Sequence, residues 1–268
     1  MTKLPRVAAV QMVSGPEVDP NLREAARLVE MAVERGANLV ALPEYFPIMG
    51  MDERDKVKVR EEEGSGPIQD FLAETARRHG IWLVGGSVPL VASTADKVRN
   101  TTLVFDEHGR RVARYDKIHL FAFETGRESY SEPRTIEAGS EVVVVDSPFG
   151  RLGLSICYDL RFPELYRAMK NVDLILAPSA FTATTGKAHW ETLIRARAIE
   201  NLAYVLAPAQ GGSHPNGRET NGDSMLVDPW GVVIDRLPKG NGVVIGEIDR
   251  DHMRRLRASL PALSHRRL

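Results

Sequence analysis

Short apolar runs alternate with amphipathic stretches through the first half of the chain. The apolar runs have the length of strands, and the amphipathic stretches have apolar residues near helical spacing and end at Gly36 and Gly80. The predicted elements are, in chain order, a strand at 7–12, a helix at 21–35, a strand at 38–42, a helix at 68–78, a strand at 81–87 and a hairpin at 101–105 and 111–115. This alternation is typical of an α/β protein.

The second half of the chain repeats the same order of elements without evident residue identity. Its predicted elements are a strand at 151–156, a helix at 164–170, a strand at 174–176, a helix at 191–201, a strand at 203–207 and a hairpin at 223–227 and 232–236. Two such units most economically stack their sheets face to face with helices outside. The pattern therefore predicts a four-layer α-β-β-α sandwich, and because no Pro/Gly/Ser-rich linker separates the halves, residues 1–268 are expected to form one domain.

Two segments fall outside this repeat. Residues 117–140 contain few apolar residues after Phe123 and follow no clear period, and a loop of that length in a compact domain is usually functional or disordered. The C-terminal segment, 249–268, begins as a basic helix. We interpret it as a solvated helix face followed by a docking tail.

Composition and charge restrict the class of protein. Apolar residues make up 43% and charged residues 26%, which excludes disordered, collagenous and coiled-coil classes. Thirty-five Lys and Arg balance 36 Asp and Glu, so the net charge of −1 provides no drive toward nucleic acid or an anionic membrane. No apolar run approaches the roughly 20 residues that span a bilayer, and the first residues lack the features of a signal peptide. A cytoplasmic protein is expected.

The chain has a single cysteine, Cys157, where a predicted strand ends and a polar turn leads into a helix. One cysteine excludes an internal disulfide and any CxxC motif, and it fits a reducing compartment. Ligands of α/β proteins bind at the carboxyl ends of strands, so the thiol could be a nucleophile; an inert buried cysteine is the alternative. A nucleophilic thiol needs a base, for which His119 and His189 are candidates, although such histidines are more often structural.

Glu44 and Lys117 lie at two other predicted strand ends. Taken alone, Glu44 could be a carboxylate at the entry to a helix and Lys117 a surface charge. In the predicted topology, however, Glu44, Lys117 and Cys157 all follow the carboxyl end of a strand, which favours one joint site. No glycine-rich dinucleotide motif, complete phosphate-binding loop, HExxH pair or carboxylate cluster indicates a cofactor or a metal.

Three segments resemble the signature of the carbon–nitrogen hydrolase (nitrilase) superfamily. They are Leu42-Pro43-Glu44, Tyr115-Asp116-Lys117-Ile118-His119-Leu120-Phe121 and Gly153-Leu154-Ser155-Ile156-Cys157-Tyr158-Asp159-Leu160-Arg161-Phe162-Pro163-Glu164-Leu165. The resemblance extends over essentially the whole chain. The residues in these segments are most similar to those of the Nit-type amidases, particularly the deaminated glutathione amidases.

The resemblance implies a Glu-Lys-Cys triad and a role for each member. Cys157 would attack an amide carbonyl, Glu44 would be the general base, and Lys117 with the backbone N–H of Tyr158 would stabilise the oxyanion. The superfamily also uses a second glutamate between the lysine and the cysteine, for which Glu128 is the expected residue and Glu124 the rival. Residues expected to contact substrate are Tyr45, Arg161, Phe181 and Thr182.

The resemblance further implies an enzyme without cofactor or metal that cleaves small linear amides through a thioester and releases ammonia. Deaminated glutathione, hydrolysed to a 2-oxoacid and a dipeptide, is the expected substrate. An omega-amidase acting on 2-oxoglutaramate or 2-oxosuccinamate, and a catalytically idle scaffold, are the alternatives. Family members form at least dimers, so the expected partners are the small amide and a second copy of the chain, without nucleic acid or membrane.

Overall fold

Strands and helices alternate along the chain as the apolar pattern predicts. The computed structural model describes residues 4–126 and 128–267. The strands in these residues are β1 (Arg6–Gln11), β2 (Leu39–Ala41), β3 (Trp82–Val84), β4 (Val88–Val91), β5 (Val98–Phe105), β6 (Arg111–Asp116), β7 (Ala122–Glu124), β8 (Ser129–Ser131), β9 (Val144–Ser147), β10 (Gly150–Leu154), β11 (Leu174–Leu176), β12 (Tyr204–Ala207), β13 (Ser224–Val227), β14 (Val233–Leu237) and β15 (Gly242–Glu247). The α-helices are α1 (Val18–Glu34), α2 (Asp55–Lys58), α3 (Pro67–His79), α4 (Pro163–Met169), α5 (Ala183–Asn201) and α6 (Arg250–Ser259), and 3-10 helices cover Glu132–Arg134 and Cys157–Arg161.

Two mixed sheets form the centre of the described part of the chain. In the first, strands follow the order β15-β1-β2-β3-β5-β4, and β6 also pairs with β5. The second has the order β14-β13-β12-β11-β10-β9. Each sheet has three adjacent parallel strands, β1-β2-β3 and β10-β11-β12, flanked by antiparallel ones. Parallel strands joined by helices confirm the predicted α/β class.

Side chains of the first sheet alternate between two different packing partners. Val7 and Ala9 of β1 pack in the core that lies between the two sheets, whereas Ala8 and Val10 pack with α1 and α3. Helices α4 and α5 contribute buried side chains such as Trp190 to the outer face of the second sheet. The layers are therefore helix, sheet, sheet and helix, which confirms the predicted four-layer sandwich.

Strand β15 is the main departure from the predicted repeat of two independent halves. It follows the hairpin of β13 and β14, yet it crosses to the first sheet and pairs antiparallel with β1, with Val10 opposite Val243. The last strand of the chain thus completes the sheet that the first strand began. Its sequence begins with Gly242 and includes Gly246, so only three apolar residues in a row, 243–245, indicate a strand.

The two segments outside the repeat are ordered where the structure describes them. Residues 117–140, predicted as a loop, contain the hairpin of β7 and β8 and the 3-10 turn Glu132–Arg134. In the C-terminal segment, α6 begins at the Asp249 cap and buries Met253, while Arg257 donates to the Val172 carbonyl. No helix in the described ranges combines the length and apolarity needed to cross a membrane.

Candidate active site

Strand ends bring the three predicted residues of the triad together. Glu44 follows β2, Lys117 follows β6 and Cys157 follows β10. The Lys117 ammonium lies 2.8 Å from Glu44 Oε1, and both side chains are fully buried, at 0% and 1% exposure. Glu44 and Cys157 line one narrow cavity, which we call the inner cavity. The joint site expected from the topology is therefore present as a geometric cluster.

Neighbouring strands fix the position of Glu44. Asn100 on β5 donates from Nδ2 to Glu44 Oε1 over 2.9 Å, and its carbonyl accepts from the backbone N–H of Lys117 at 2.9 Å. Gln210 from the second half donates to the Glu44 carbonyl over 3.0 Å. Asn100 thus links the Glu44 carboxylate to the backbone of Lys117, and Gln210 anchors the backbone of Glu44.

A second carboxylate, Glu132, whose side chain is 11% exposed, also contacts Lys117. It lies 2.8 Å from the ammonium, accepts from the Phe121 backbone N–H at 2.6 Å and accepts from the Tyr45 hydroxyl at 2.7 Å. Lys117 therefore lies between two carboxylates, Glu44 and Glu132. Such a cluster is costly to bury unless every charge is paired, and here each is both paired and hydrogen-bonded.

Glu132 takes the position that the sequence analysis assigned to Glu128. Glu128 instead accepts from the Thr184 hydroxyl at 2.6 Å, and the rival Glu124 is exposed on β7. The β7–β8 hairpin explains why Glu132 and not Glu128 contacts Lys117. At the tip of the hairpin the Thr125 N–H donates to the Glu128 carbonyl over 2.8 Å, and β8 then leads the chain back toward Lys117, where Glu132 lies. The three-residue strands β7 and β8 carry no apolar alternation that would predict the hairpin. The one local signal for the 3-10 turn at Glu132–Arg134 is Pro133, since proline is typical of the first turn of a helix.

The electrostatics of the cluster differ for each group. Burial raises the pKa of the Cys157 thiol well above its ordinary value, and the negative charge of Glu44 adds to this, while Lys117 opposes it. Burial works against the charge of Lys117, yet Glu132 and Glu44 outweigh it and raise the pKa of the ammonium. Burial also opposes ionisation of Glu132, but Lys117 outweighs it and lowers the pKa of the carboxyl. At neutral pH the resting site is therefore a neutral thiol beside an ionised Lys117–Glu132 pair.

Cys157 is held on a sharp turn between β10 and a 3-10 helix. Its φ of 50° is in the left-handed region that non-glycine residues rarely adopt. The turn is secured by the backbone N–H of Cys157, which donates to the Pro178 carbonyl over 2.9 Å, and by Asp159, whose Oδ2 accepts from the Ile156 N–H at 2.8 Å. This strained turn displays the thiol at the strand end, as a nucleophile requires.

The two candidate histidines serve structural contacts. His119 places Nδ1 2.7 Å from Asp159 Oδ1 and stacks on Phe162, and His189 places Nδ1 3.2 Å from an Arg161 nitrogen. Among the described residues that line the inner cavity neither histidine occurs, whereas Glu44 does. The base candidates in that lining are thus two glutamates, Glu44 and Glu132.

The residues expected to contact substrate lie around two adjacent cavities that share lining residues. Arg161, Phe181 and Thr182 line the inner cavity; the Arg161 guanidinium lies over the Phe181 ring, and Thr182 also caps α5. Tyr45 lines a neighbouring outer cavity of about 390 Å³. The residues that line both cavities are Phe121, Glu132 and Arg218.

Arg218 and Lys56 are polar cavity residues that sequence reasoning missed. Both line the outer cavity, and Arg218 directly follows Gly217 in a loop that carries no catalytic motif. Across residues 4–126 and 128–267, no group of three or more His, Cys, Asp and Glu side chains is arranged to hold a metal ion.

Comparison with known proteins gives one consistent assignment. The carbon–nitrogen hydrolase family pattern matches residues 6–258. Deaminated glutathione amidase of Synechocystis sp. is 42% identical over 265 residues, 97% of each chain, and that of Homo sapiens is 38% identical over 272 residues, 99% of this chain and 83% of the human one. The crystal structure of the Caenorhabditis elegans NitFhit protein superposes with a TM-score of 0.91 at 40% identity, covering 100% of this chain and 66% of that one. Because the match spans nearly the whole chain and most of each amidase, the chain belongs to the carbon–nitrogen hydrolase family and is a hydrolase of linear amides.

Proposed function

We propose that the protein is a deaminated glutathione amidase that works through a thioester on Cys157. The observation that carries the mechanism is the buried Glu44–Lys117–Glu132 cluster beside the cavity of the thiol. The substrate is supported by the relatives of that name, which are 38–42% identical over nearly the full chain.

In the first step Cys157 attacks the amide carbonyl carbon. Because its pKa is raised, the Cys157 thiol is protonated in the resting enzyme. Glu44 takes this proton as the C–S bond forms. The carbonyl oxygen becomes an oxyanion, stabilised by the Lys117 ammonium and the Tyr158 backbone N–H. Lys117 is suited to this because its raised pKa keeps it charged throughout.

In the second step the C–N bond breaks. The proton held by Glu44 passes to the leaving nitrogen, the C=O re-forms and the acyl group stays on Cys157 as a thioester. With deaminated glutathione the leaving amine is the dipeptide cysteinylglycine, so the products are 2-oxoglutarate and that dipeptide. Ammonia, expected from the family resemblance, is the leaving group only for primary amides such as 2-oxoglutaramate.

Water then hydrolyses the thioester. Glu44, again ionised, takes a proton from the attacking water as the C–O bond forms. The C–S bond then breaks, Glu44 returns the proton to the sulfur of Cys157, and the acyl group leaves as a carboxylate. Glu132 holds Lys117 in place through both half-reactions, since it is fixed independently by the Phe121 N–H and the Tyr45 hydroxyl. Glu132 thus has the role that the family resemblance assigned to Glu128.

The test compares two substrates with the same acyl group. Wild type and Cys157→Ala are assayed for 2-oxoglutarate release from deaminated glutathione and from 2-oxoglutaramate. We expect a higher kcat/KM for deaminated glutathione and a loss of at least about 10³-fold in Cys157→Ala. A higher kcat/KM for 2-oxoglutaramate would make the protein an omega-amidase, and wild type inactive on both would favour the scaffold alternative. Intact mass should place the acyl adduct on Cys157.

We propose further that the protein self-associates and functions in the cytoplasm. Trp230 and Val232 of the β13–β14 turn and Ile199 of α5 are exposed apolar side chains, at 55%, 54% and 47%. The turn lies against Ile199, because a Cβ at Gly231 would contact that side chain. Sedimentation of wild type and Trp230→Glu tests this surface. The cytoplasmic location is supported by the cysteine content, since a single cysteine that forms no internal disulfide fits a reducing compartment.

A further inference from the structure

The outer cavity contains two buried polar atoms that have no hydrogen-bond partner in the described part of the chain. One is Glu128 Oε2, although Oε1 of the same carboxylate accepts from Thr184 at 2.6 Å. The other is Arg218 Nε, although the guanidinium donates from Nη2 to the Ala180 carbonyl over 3.0 Å and lies over the Tyr130 ring. Leaving a buried donor or acceptor unpaired is costly, so both atoms point to a bound group that would satisfy them.

The two unpaired atoms require opposite hydrogen-bonding partners. Glu128 Oε2 is an acceptor and needs an N–H or O–H donor, whereas Arg218 Nε is a donor and needs a carbonyl or carboxylate oxygen. A peptide group supplies both, an N–H and a C=O. The cavity that these residues line holds about 390 Å³ and shares the lining residues Phe121, Glu132 and Arg218 with the inner cavity.

The chemistry of the substrate decides which half can lie there. A 2-oxoglutaryl group carries a ketone and a carboxylate but no donor at neutral pH, so it cannot satisfy Glu128. The amine side of deaminated glutathione contains the peptide bond of cysteinylglycine and ends in a carboxylate. Lys56, which also lines the cavity and donates to Thr135 over 3.2 Å, provides a cation for that carboxylate.

We propose that the outer cavity is the leaving-group subsite and that Glu128 and Arg218 make the enzyme specific for an amide whose amine is a peptide. The peptide N–H donates to Glu128 Oε2 and the peptide carbonyl accepts from Arg218 Nε. This inference rests on the proposed thioester mechanism. It assigns Glu128 to substrate recognition, a role different from that of Glu132 at Lys117.

The test is the ratio of kcat/KM for deaminated glutathione to that for 2-oxoglutaramate, which share an acyl group and differ only in the amine. Arg218→Lys keeps the positive charge and removes Nε, and Glu128→Gln keeps the shape and replaces a carboxylate oxygen. Each is expected to lower the ratio about tenfold, the effect of one charge-assisted hydrogen bond. Arg54→Lys, an exposed arginine next to α2 and outside the cavity lining, should leave the ratio at its wild-type value.

The outcomes separate this inference from the proposed function. If wild type turns over neither substrate, the proposed function fails. If wild type turns over both but the ratio in Arg218→Lys and Glu128→Gln stays at the wild-type value, the subsite assignment is overturned, including when both activities fall equally. A variant that folds poorly loses both activities together, so the second variant, checked by circular dichroism, then decides.

Discussion

Cys157 combines a strained backbone with a buried, neutral thiol. Its left-handed φ is maintained by Asp159, which binds the Ile156 N–H, the Tyr115 hydroxyl and His119 at 2.7–3.1 Å. The same burial that orders the turn raises the pKa of the thiol. A nucleophile of this kind is protected from adventitious oxidation or alkylation, because the thiolate is the reactive form and it develops only when Glu44 accepts the proton.

The raised pKa of Cys157 predicts how the thiol reacts as pH changes. A thiol pKa above the ordinary 9.0 means that the thiolate fraction still increases through pH 9. We expect the rate at which N-ethylmaleimide modifies Cys157 to rise from pH 6.5 to 9 without a plateau. The modification is measured by intact mass. Because the chain has one cysteine, the signal has one source. A plateau near neutral pH would instead mean that Lys117 stabilises a preformed thiolate.

Glu132 predicts a second effect at the residue scale. In Glu132→Gln, Lys117 loses one of the two carboxylates that hold its ammonium. The ammonium is then less firmly held beside the oxyanion, so kcat for 2-oxoglutaramate should fall about 10²-fold. Glu124→Gln, at an exposed position of β7, is the matched control and should keep wild-type kcat. If Glu132→Gln kept its kcat while Glu128→Gln lost it, the original sequence prediction for the second glutamate would be restored.

The structure brings together the candidate residues that follow predicted strands. Glu44, Lys117 and Cys157 could be found because strand ends are visible in the apolar pattern and parallel strands share an edge. Glu132 could not be found, because its position depends on a hairpin of short polar strands. Arg218 reaches the cavities from a loop, and no local pattern encodes where such a loop lies.

At the scale of elements, the end of β2 is tightly packed against the chain that follows β3. Gly86 has φ 51°, and a Cβ there would overlap the Pro43 carbonyl oxygen, one residue before Glu44. The carbonyl of Gly86 also accepts from the Thr102 hydroxyl at 2.5 Å. The position of the general base thus depends on a glycine from a neighbouring segment.

This packing predicts different costs for two glycine substitutions. Gly86→Ala should destabilise the fold by about 3 kcal/mol, the sum of a left-handed backbone and overpacking, and should lower kcat by displacing Glu44. Gly80 at the end of α3 has a similar backbone conformation, with φ 61°, but a Cβ there meets nothing within 4 Å. Gly80→Ala should therefore lower the free energy of unfolding by only about 1–2 kcal/mol. Urea unfolding measures both. Equal costs would show that the contact with Pro43 is unimportant.

At the scale of the whole molecule, the two halves are interleaved. The predicted repeat gave the correct layers because each half builds its own parallel strands and helices. It missed the crossing of β15, which pairs with β1 although it follows the second sheet in the chain. Gln11 at the end of β1 reinforces the connection, since its side chain accepts from the Ser224 N–H at 2.9 Å and donates to the Gly240 carbonyl at 2.9 Å.

Interleaving predicts that the halves unfold together, as expected if residues 1–268 are one domain. The chain has three tryptophans: Trp82 on β3 in the first sheet, Trp190 on α5 beside the second, and Trp230, which is 55% exposed. Variants that keep only Trp82 or only Trp190, made with phenylalanine, place the reporter either on β3, against Phe149 in the core between the sheets, or on α5 outside the second sheet. The two fluorescence transitions in urea should coincide with the loss of secondary structure. They are measured at one fixed protein concentration, and circular dichroism corrects for the stability of each variant.

A Trp190 transition that precedes the Trp82 transition would show that the second half unfolds by itself. The pairing of β15 with β1 would then be too weak to couple the sheets, and the catalytic cluster, which draws Glu44 and Cys157 from different halves, would be lost before the first sheet unfolds.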